Sequence, residues 1–352
     1  MKHVAIIGAG IIGASSAYHL ARAGCRVTVF EADSVGGVAS RASFGWLNAS
    51  FHLDDAHFRL RHAAMDAHRQ LAVDVPGYHH WPGCLWFEEQ GAPADAFRGR
   101  LVGLGYQARA VAADEIGQHW PRLKGVEGAV FLPEEGMIDT PALAGALLTH
   151  SGAEVRTGVA VTRLAEKGGQ ICGLWVGDDL ILADDIVIAA GTGSSALLSD
   201  VGVNLPLLRR PGAMVVTQPT VPLMPTLLCG PMGEVRQLRD GRLLMPTSPN
   251  HQGDNAEILA ANPDQLARES LTRLAEFLDC GSLQVETVLE ANRPVPSDGF
   301  PVLGRVLPGL IVAVMHSGAT LAALAGLAVT DLVQSNSVDA LWQGYGVTRF
   351  KE

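Results

Sequence analysis

Residues 4–31 read VAIIGAGIIGASSAYHLARAGCRVTVFE, and this stretch decides the fold. A short apolar run typical of a buried strand leads into a G-x-G-x-x-G pattern that begins at Gly8. A helical stretch follows, and Gly24 lies where that helix would end. A second apolar run is followed by Glu31. This order predicts two parallel strands joined by a helix in a right-handed connection.

The glycine turn predicts a dinucleotide-binding site. Gly8 permits the tight turn, Gly10 lets the backbone approach a pyrophosphate, and Gly13 lets the helix pack closely on the strand. The start of the helix offers its N–H groups to the phosphates. Glu31 is predicted to accept hydrogen bonds from a ribose 2′-hydroxyl and would repel a 2′-phosphate. The alternative is a glycine-rich turn that serves packing alone.

The sequence after Glu31 favours FAD over NAD. A nicotinamide-binding domain would continue with alternating strands and helices, whereas residues 36–45 (GGVASRASFG) form a stretch of small residues with the character of a loop. No second G-x-G-x-x-G follows a strand.

Two domains are predicted to interleave along the chain. Residues 185–191 (DIVIAAG) repeat the pattern of a buried strand before a glycine turn, and the C-terminal part returns to strand, turn and helix. Residues 205–290 have the pattern of a second, mainly antiparallel sheet, with a helix at 263–278. The predicted FAD-binding domain comprises residues 1–75, 136–204 and 291–352, and the predicted substrate domain comprises 76–135 and 205–290.

Composition and charge exclude several classes of protein. Of 352 residues, 48% are hydrophobic and 18% are charged, which predicts a large core and argues against disorder. The 26 Lys and Arg against 36 Asp and Glu give a net charge of −10, and no basic stripe is present. Binding to nucleic acid or to an anionic membrane surface is therefore not expected.

Neither a membrane span nor an export signal is expected. Residues 309–329 are apolar enough for a span, but a His-Ser-Gly turn at His316 interrupts them, so a buried strand and a buried helix are predicted instead. The five cysteines form neither a Cys-x-x-Cys pair nor a zinc pattern, and no signal-peptide pattern precedes the first strand. These features predict a cytoplasmic protein.

Four segments resemble the D-amino acid oxidase/glycine oxidase (DAO) family of FAD-dependent oxidoreductases. They are residues 6–13 (IIGAGIIG), 185–191 (DIVIAAG), 293–304 (RPVPSDGFPVLG) and 316–321 (HSGATL). The first two are similar to segments of many flavoproteins, and the last two are more particular to this family. The resemblance implies an α/β fold: a Rossmann-like, glutathione-reductase-type FAD domain with an interleaved α+β substrate domain that contains an antiparallel sheet.

The resemblance also implies roles for individual residues. Arg293 would hold the substrate carboxylate, and a guanidinium on a stiff Arg-Pro-x-Pro backbone suits bidentate binding of such a group. The alternative is a structural arginine paired with Asp298 or with a carbonyl. The turn after His316 would direct its N–H groups at the flavin pyrimidine ring. His316 itself is either a base or a histidine that packs on the flavin.

The predicted FAD contacts combine the glycine turn with positions that the resemblance implies. They are Gly8, Ala9, Gly10, Ile11, Ile12, Gly13, Glu31, Ala32, Ser40, Arg41, Ala42, Ser43, Val161, Ala190, Gly191, Gly304, Ser317, Gly318, Ala319 and Thr320. Trp46 and Asn48 would lie beside the ring or pack in the core.

Two departures from related sequences affect the expected chemistry. Ala291 stands where sarcosine-oxidase-like relatives attach the flavin through a cysteine, so FAD is expected to bind non-covalently. Those relatives also use a lysine after the Ser-Gly turn in the reaction with oxygen, whereas no lysine lies between Lys167 and Lys351.

No metal site is expected. The histidines at positions 52, 57, 62 and 68 do not share one helical face, so a solvated helix face is the favoured interpretation.

The predicted function is oxidation of the C–N bond of an amino acid or N-substituted amino acid. The resemblance implies hydride transfer to flavin N5, which gives an imino acid that water hydrolyses. The substrate would be a small amine with a carboxylate, and the electron acceptor would be oxygen, a quinone or a partner protein. A 2-hydroxy-acid dehydrogenase and an FAD-bearing subunit of a heteromeric dehydrogenase complex are the alternatives.

Overall fold

The computed structural model describes residues 1–249, 258–259 and 261–350, so part of the predicted segment 205–290 lies outside the described residues. The chain divides into two compact units. Unit 1 comprises Met1–His79, Ile138–Arg209 and Asn292–Glu352, and unit 2 comprises His80–Met137 and Arg210–Ala291. The boundaries predicted from the sequence lie a few residues from these positions.

Strands and helices are numbered along the chain. The strands are β1 (His3–Ile7), β2 (Arg26–Phe30), β3 (Trp46–Leu47), β4 (His79–His80), β5 (Cys84–Trp86), β6 (Arg109–Ala112), β7 (Gly128–Leu132), β8 (Gly136–Ile138), β9 (Glu154–Arg156), β10 (Val161–Lys167), β11 (Gln170–Val176), β12 (Asp179–Leu182), β13 (Asp185–Ile188), β14 (Leu207–Leu208), β15 (Pro211–Thr217), β16 (Leu227–Gly230), β17 (Gly233–Gln237), β18 (Leu243–Pro246), β19 (Val285–Asn292), β20 (Val295–Pro296), β21 (Val302–Leu307) and β22 (Leu310–Val314). The α-helices are α1 (Ile11–Arg22), α2 (Val38–Arg41), α3 (Asp55–Asp74), α4 (Ala92–Gly103), α5 (Ala113–His119), α6 (Thr140–Ser151), α7 (Ser194–Ser199), α8 (Pro263–Phe277) and α9 (Gly318–Ser335). Short 3₁₀ helices lie at Gly191–Gly193, Ala340–Trp342 and Val347–Phe350.

The central sheet of unit 1 is largely parallel. Its strand order is β21-β22-β13-β1-β2-β9, and only the β21–β22 pair is antiparallel among these described strands. Ile6 in β1 lies opposite Val29 in β2 and Val187 in β13. Because these three strands run in the same direction, the glycine turn and Glu31 emerge at the same edge of the sheet. That edge is where α/β sheets bind their ligands.

Three helices of unit 1 pack closely on one another. Helix α9 contacts both α1 and α3, and the Ser15 hydroxyl of α1 donates to the Ala322 carbonyl of α9 at 2.7 Å. Among the described helices, α9 is long and apolar enough to cross a membrane. However, 56% of its 18-residue apolar stretch, Gly318–Ser335, is buried within the protein. Its packing identifies α9 as the core helix that the sequence predicts.

Unit 2 is built on a largely antiparallel sheet. The strand order is β19-β15-β18-β17-β16-β5-β7-β6, with β16 and β5 parallel to each other. Trp120 and Phe277, which follow α5 and end α8, belong to the buried apolar cluster against this sheet. Together with the parallel sheet of unit 1, this unit confirms the predicted α/β fold with an antiparallel second sheet.

The structure corrects two local expectations. Residues 36–45 are not a continuous loop, because α2 forms within them. The histidines of α3 do not form a solvated face: the side chains of His57 and His68 are 4% and 0% exposed. The physical reason is packing against distant segments: His68 contacts the Ala319 carbonyl of α9, and the His57 ring packs against Phe300. The sequence of α3 alone does not show these partners.

Candidate active site

A cavity of about 550 Å³ lies in unit 1 at the carboxyl edge of the parallel sheet. Its volume is in the range of ligand-binding sites. The predicted contact residues on its wall are Gly8, Gly10, Ile11, Ile12, Glu31, Ala32, Ser40, Ser43, Val161, Ala190, Gly191, His316, Gly318 and Ala319. Most of the residues predicted to contact FAD therefore lie around one space.

The glycine turn leaves no room for side chains at two positions. A Cβ on Gly8, whose φ is +107°, would lie 2.4 Å from the Ala189 carbonyl oxygen. A Cβ on Gly13 would lie 1.9 Å from the carbonyl oxygen of Gly8. Gly13 does not line the cavity, and its missing side chain lets α1 pack closely on the turn at Gly8 and on Ile6 of β1. The Ile11 N–H at the start of α1 donates to the Ser40 hydroxyl at 3.0 Å.

Glu31 is tied to the glycine turn as well as facing the cavity. One carboxylate oxygen accepts from the Ala9 N–H at 2.7 Å, and the other accepts from the Asp33 N–H at 3.0 Å. These bonds hold the turn against the end of β2. A carboxylate oxygen has two acceptor positions, so each can still accept from a ribose hydroxyl.

Changing Glu31 to Gln is expected to weaken FAD binding roughly ten- to hundred-fold, because charge-assisted hydrogen bonds contribute about 1.5–3 kcal/mol. The amide also has one acceptor oxygen where the carboxylate uses two. Titration of the apoprotein with FAD measures the change. Asp33→Asn is the matched control, since Asp33 also lines the cavity but is exposed. An unchanged affinity in the Glu31 variant would contradict the assignment.

The segment from Ser40 to Ser43 is only partly on the wall. Ser40 and Ser43 line the cavity, and Ala42 and Arg41 are absent from its wall. Arg41 is exposed, and its guanidinium donates to the Ser34 hydroxyl at 2.6 Å. The structure thus brings the two serines, but not Arg41, to the predicted dinucleotide.

The C-terminal segments reach the wall in part. Gly304 lies within β21 opposite Val312, away from the cavity. Thr320 is buried behind the wall, where its hydroxyl donates to the Trp46 carbonyl at 3.0 Å. Ser317 is the N-cap of α9, and its side chain makes no capping hydrogen bond.

Arg293 is half-buried, and its chain neighbours Asn292 and Pro294 line the cavity, whereas Arg293 itself is absent from the wall. The sequence also allowed a structural pairing with Asp298. That carboxylate is gripped in a bidentate manner by Arg349, with nitrogen–oxygen distances of 2.7 and 3.1 Å. Arg349 therefore occupies Asp298, the side-chain partner that the sequence allowed for Arg293. The carbonyl alternative stays open, and the carboxylate-binding role of Arg293 stays a prediction.

Thr140 is a wall residue that the sequence interpretation missed. The residue lines the cavity at the start of α6, whereas its hydroxyl oxygen is buried and has no hydrogen-bond partner among the described residues. A buried hydroxyl without a partner is costly, but this oxygen has almost no surface open to the cavity, so Thr140 is a residue of the wall without an assigned ligand contact. The only sequence signal was the Asp139-Thr140-Pro141 helix start, which predicts a cap and not a ligand contact.

The cavity fits the predicted FAD. The glycine turn lets the backbone approach a pyrophosphate, and Glu31 offers acceptors to a ribose. No group of three or more metal-binding side chains occurs among the described residues.

Two buried histidines support the start of α9. His68 Nε2 lies 2.9 Å from the Ala319 carbonyl oxygen, and His68 Nδ1 lies 3.0 Å from His79 Nε2. Since a carbonyl only accepts, the network assigns the proton of His68 to Nε2 and makes His79 the donor to Nδ1. Burial lowers the pKa of His68 to about 3 and the pKa of His79 to about 4.

These histidines predict acid destabilisation. In the unfolded chain a histidine gains its proton near pH 6.5, whereas buried His68 stays neutral down to about pH 3. The free energy of unfolding therefore has its full value above pH 6.5 as far as His68 is concerned. It falls as the pH drops below 6.5, because the unfolded chain then binds a proton that the folded chain does not. At pH 5, His68 accounts for a loss of about 2 kcal/mol. Urea unfolding at pH 7.5 and pH 5 measures how much unfolding free energy is lost between these two pH values. In His68→Gln this loss should be about 2 kcal/mol smaller than in the wild type. His62→Gln on the same helix should keep the wild-type loss, and an equal loss in both variants would refute the prediction.

Known proteins with similar sequences include oxidases, and the matching family model is FAD-dependent, as the predicted FAD site requires. The family model described as "FAD dependent oxidoreductase" (DAO) matches residues 3–332. A glycine oxidase of Bacillus licheniformis is 28% identical over 96% of this chain and 94% of its own length. A subunit of the opine oxidase of Agrobacterium tumefaciens is 27% identical over 98% of this chain and 96% of its own length.

The solved structures give the same result. The crystal structure of glycine oxidase from Geobacillus kaustophilus matches with a TM-score of 0.86 and 26% identity, over 100% of both chains. The match to the family model extends over nearly the whole chain, and it confirms both the resemblance and FAD as the cofactor. Ala291, in place of the attachment cysteine, agrees with non-covalent binding. The chain belongs to the DAO family of FAD-dependent oxidoreductases.

Proposed function

We propose that this protein oxidises the C–N bond of an amino acid or an N-substituted amino acid. The observation that carries the proposal is the match of residues 3–332 to the family model, together with the position of Arg293 in the chain between Asn292 and Pro294, which line the cavity. A guanidinium there selects a substrate with a carboxylate. The similarity to two kinds of amine-oxidising relatives, glycine oxidases and an opine oxidase subunit, supports the same substrate class.

The residues of the chain bind and orient the substrate. FAD, when bound, supplies the hydride acceptor. Arg293 fixes the carboxylate, and a fixed carboxylate limits the positions of the adjacent carbon and its hydrogen. His316 lies on the cavity wall and can hold a proton or pack on the cofactor. Selection of the neutral amine from solution removes the need for a base, and water hydrolyses the imino acid product.

Anaerobic reduction of the flavin tests the substrate class. The panel contains amino acids, N-methylamino acids and the matching 2-hydroxy acids, and loss of flavin absorbance is the measurement. We expect bleaching by members of the first two groups. Bleaching by the hydroxy acids alone would assign the protein to C–O oxidation and overturn the proposal.

The electron acceptor is a second part of the proposal. No lysine lies between Lys167 and Lys351, which weighs against the lysine-assisted reaction with oxygen used by sarcosine-oxidase-like relatives. The similarity to one subunit of an opine oxidase favours a heteromeric enzyme that passes electrons to a partner protein or a quinone. Slow reoxidation of the reduced protein in air, with fast reoxidation by a quinone, would support this acceptor. We place this enzyme in the cytoplasm, on the cysteine pattern alone.

A further inference from the structure

A buried cation lies directly behind the start of α9. The Arg61 side chain belongs to α3 and is 3% exposed. Its Nη1 donates to the Ser317 hydroxyl at 2.5 Å, and its Nε and Nη2 donate to the Asn48 carbonyl and side-chain oxygens at 3.0 and 2.6 Å. A planar guanidinium that donates three hydrogen bonds to fixed acceptors is held in one position.

The bonds of Arg61 belong to a network that fixes the first turn of α9. Asn48 donates its N–H to the Thr320 hydroxyl at 3.4 Å, and that hydroxyl donates to the Trp46 carbonyl. On α3, His68 lies two helical turns beyond Arg61 and on the same face, and it contacts the Ala319 carbonyl. Helix α3 therefore supports the start of α9 at two points.

The start of α9 is exposed to the cavity. Gly318 and Ala319 line the wall, and the Ser317 side chain is engaged by Arg61 and does not cap their N–H groups. The helix terminus and the guanidinium give this part of the wall a positive potential. The effect of a charge is stronger away from water, and the Arg61 side chain is buried.

Position assigns this part of the wall to the flavin half of the cofactor. The glycine turn and Glu31 serve the pyrophosphate and the adenosine ribose, so the flavin half extends over the remaining wall. The flavin gains electrons on reduction, and a fixed positive charge stabilises the more negative form. Such a charge raises the reduction potential.

We propose that Arg61 is a positioning residue that holds the first turn of α9 and raises the reduction potential of bound FAD. The proposal concerns the cofactor, so it holds for any substrate class. In the proposed role, Arg61 contacts neither the substrate nor the reacting atoms of the flavin. It acts through Ser317 and through its charge.

The test compares the two-electron reduction potential and the FAD affinity of four variants. Arg61→Met removes the charge, Arg61→Lys keeps the charge without the fork, and Ser317→Ala removes the contact. Arg59→Met is the matched control, because Arg59 is the exposed arginine two residues away on the same helix. Potentials are measured on the FAD-loaded proteins by anaerobic equilibration with reference dyes.

We expect Arg61→Met to make reduction at least tenfold less favourable, a fall of about 30 mV for a two-electron couple. The fall in potential in Arg61→Lys should be less than half of the fall in Arg61→Met. Ser317→Ala should lower the equilibrium constant for reduction of the bound FAD about threefold relative to the wild type. The Arg59 variant should match the wild type.

The proposal is overturned if Arg61→Met weakens FAD binding and leaves the potential unchanged, because Arg61 would then be an ordinary structural or binding residue. Equal potentials in the Arg61 and Arg59 variants overturn it as well. If Arg61→Met yields no folded flavoprotein, the decision rests on the other two variants. A wild-type potential in both Arg61→Lys and Ser317→Ala refutes it.

Discussion

Replacing Arg293 with Met is expected to lower kcat/KM for an amino acid substrate by roughly 10²–10³, a loss of about 3–4 kcal/mol. Methionine keeps an apolar stem of similar reach and removes the guanidinium fork. Both binding and orientation of the carboxylate should suffer, so KM should rise and kcat should fall. The FAD content of the purified variant should stay near wild type, since the glycine turn and Glu31 are unchanged.

A contrasting arginine separates a role in substrate binding from a structural role. Arg305 of β21 donates to Asp185 at 2.6 Å and to the Leu332 carbonyl at 2.7 Å, and Asp185 is 5% exposed. Arg305→Met should therefore lower the free energy of unfolding, because it leaves a buried carboxylate with fewer partners. Its folded fraction should keep a kcat/KM near wild type. The Arg293 variant should show the opposite pattern.

A substrate analogue gives the decisive comparison for Arg293. An amide of the substrate should be poor for the wild type and should lose little more in Arg293→Met, because both changes remove the same interaction. Additive losses would show that the guanidinium does not bind the carboxylate. Loss of FAD or unfolding of the variant would make Arg293 structural and would remove the main support for a carboxylate substrate.

The cofactor cradle was predictable because its requirements are local. The positions of Gly8, Gly13 and Glu31 follow from the geometry of one strand–turn–helix–strand unit, and a single stretch of sequence contains all of it. The family resemblance added the remote parts of the wall, such as Gly191 and Gly318. These depend on which strands become neighbours, which no local pattern determines.

The residues that sequence reasoning missed depend on contacts between distant segments. Arg61 and Ser317 are separated by 256 positions, and only the packing of α3 on α9 brings them together. The same packing buries His68, and Phe300 packs against His57, whereas the sequence predicts both histidines on a solvated face. Thr140 faces the cavity because α6 packs on α1. In each case the residue type was ordinary, and the partner helix gave it a role.

Replacing Gly13 with Ala is expected to abolish tight FAD binding and to lower the free energy of unfolding by about 3 kcal/mol or more. Two effects oppose each other here. Alanine favours a helix over glycine by about 1 kcal/mol, and Gly13 lies in the first turn of α1. The added Cβ, however, would lie 1.9 Å from the Gly8 carbonyl oxygen and 3.0 Å from its carbonyl carbon. Backbone atoms cannot rotate away as a side chain can, so the overlap exceeds the gain in helix propensity.

The overlap must be relieved by moving α1 away from the glycine turn. That movement carries the N–H groups at the start of α1 away from the phosphates, so FAD affinity and folding should fall together. Gly193→Ala is the matched control: Gly193 lines the same cavity, and the nearest atom to its added Cβ is 3.9 Å away. Urea unfolding with and without FAD, and the flavin retained on gel filtration, measure both effects. If the Gly13 variant keeps its flavin as firmly as the Gly193 variant does, close contact between α1 and the turn is not what shapes the phosphate site.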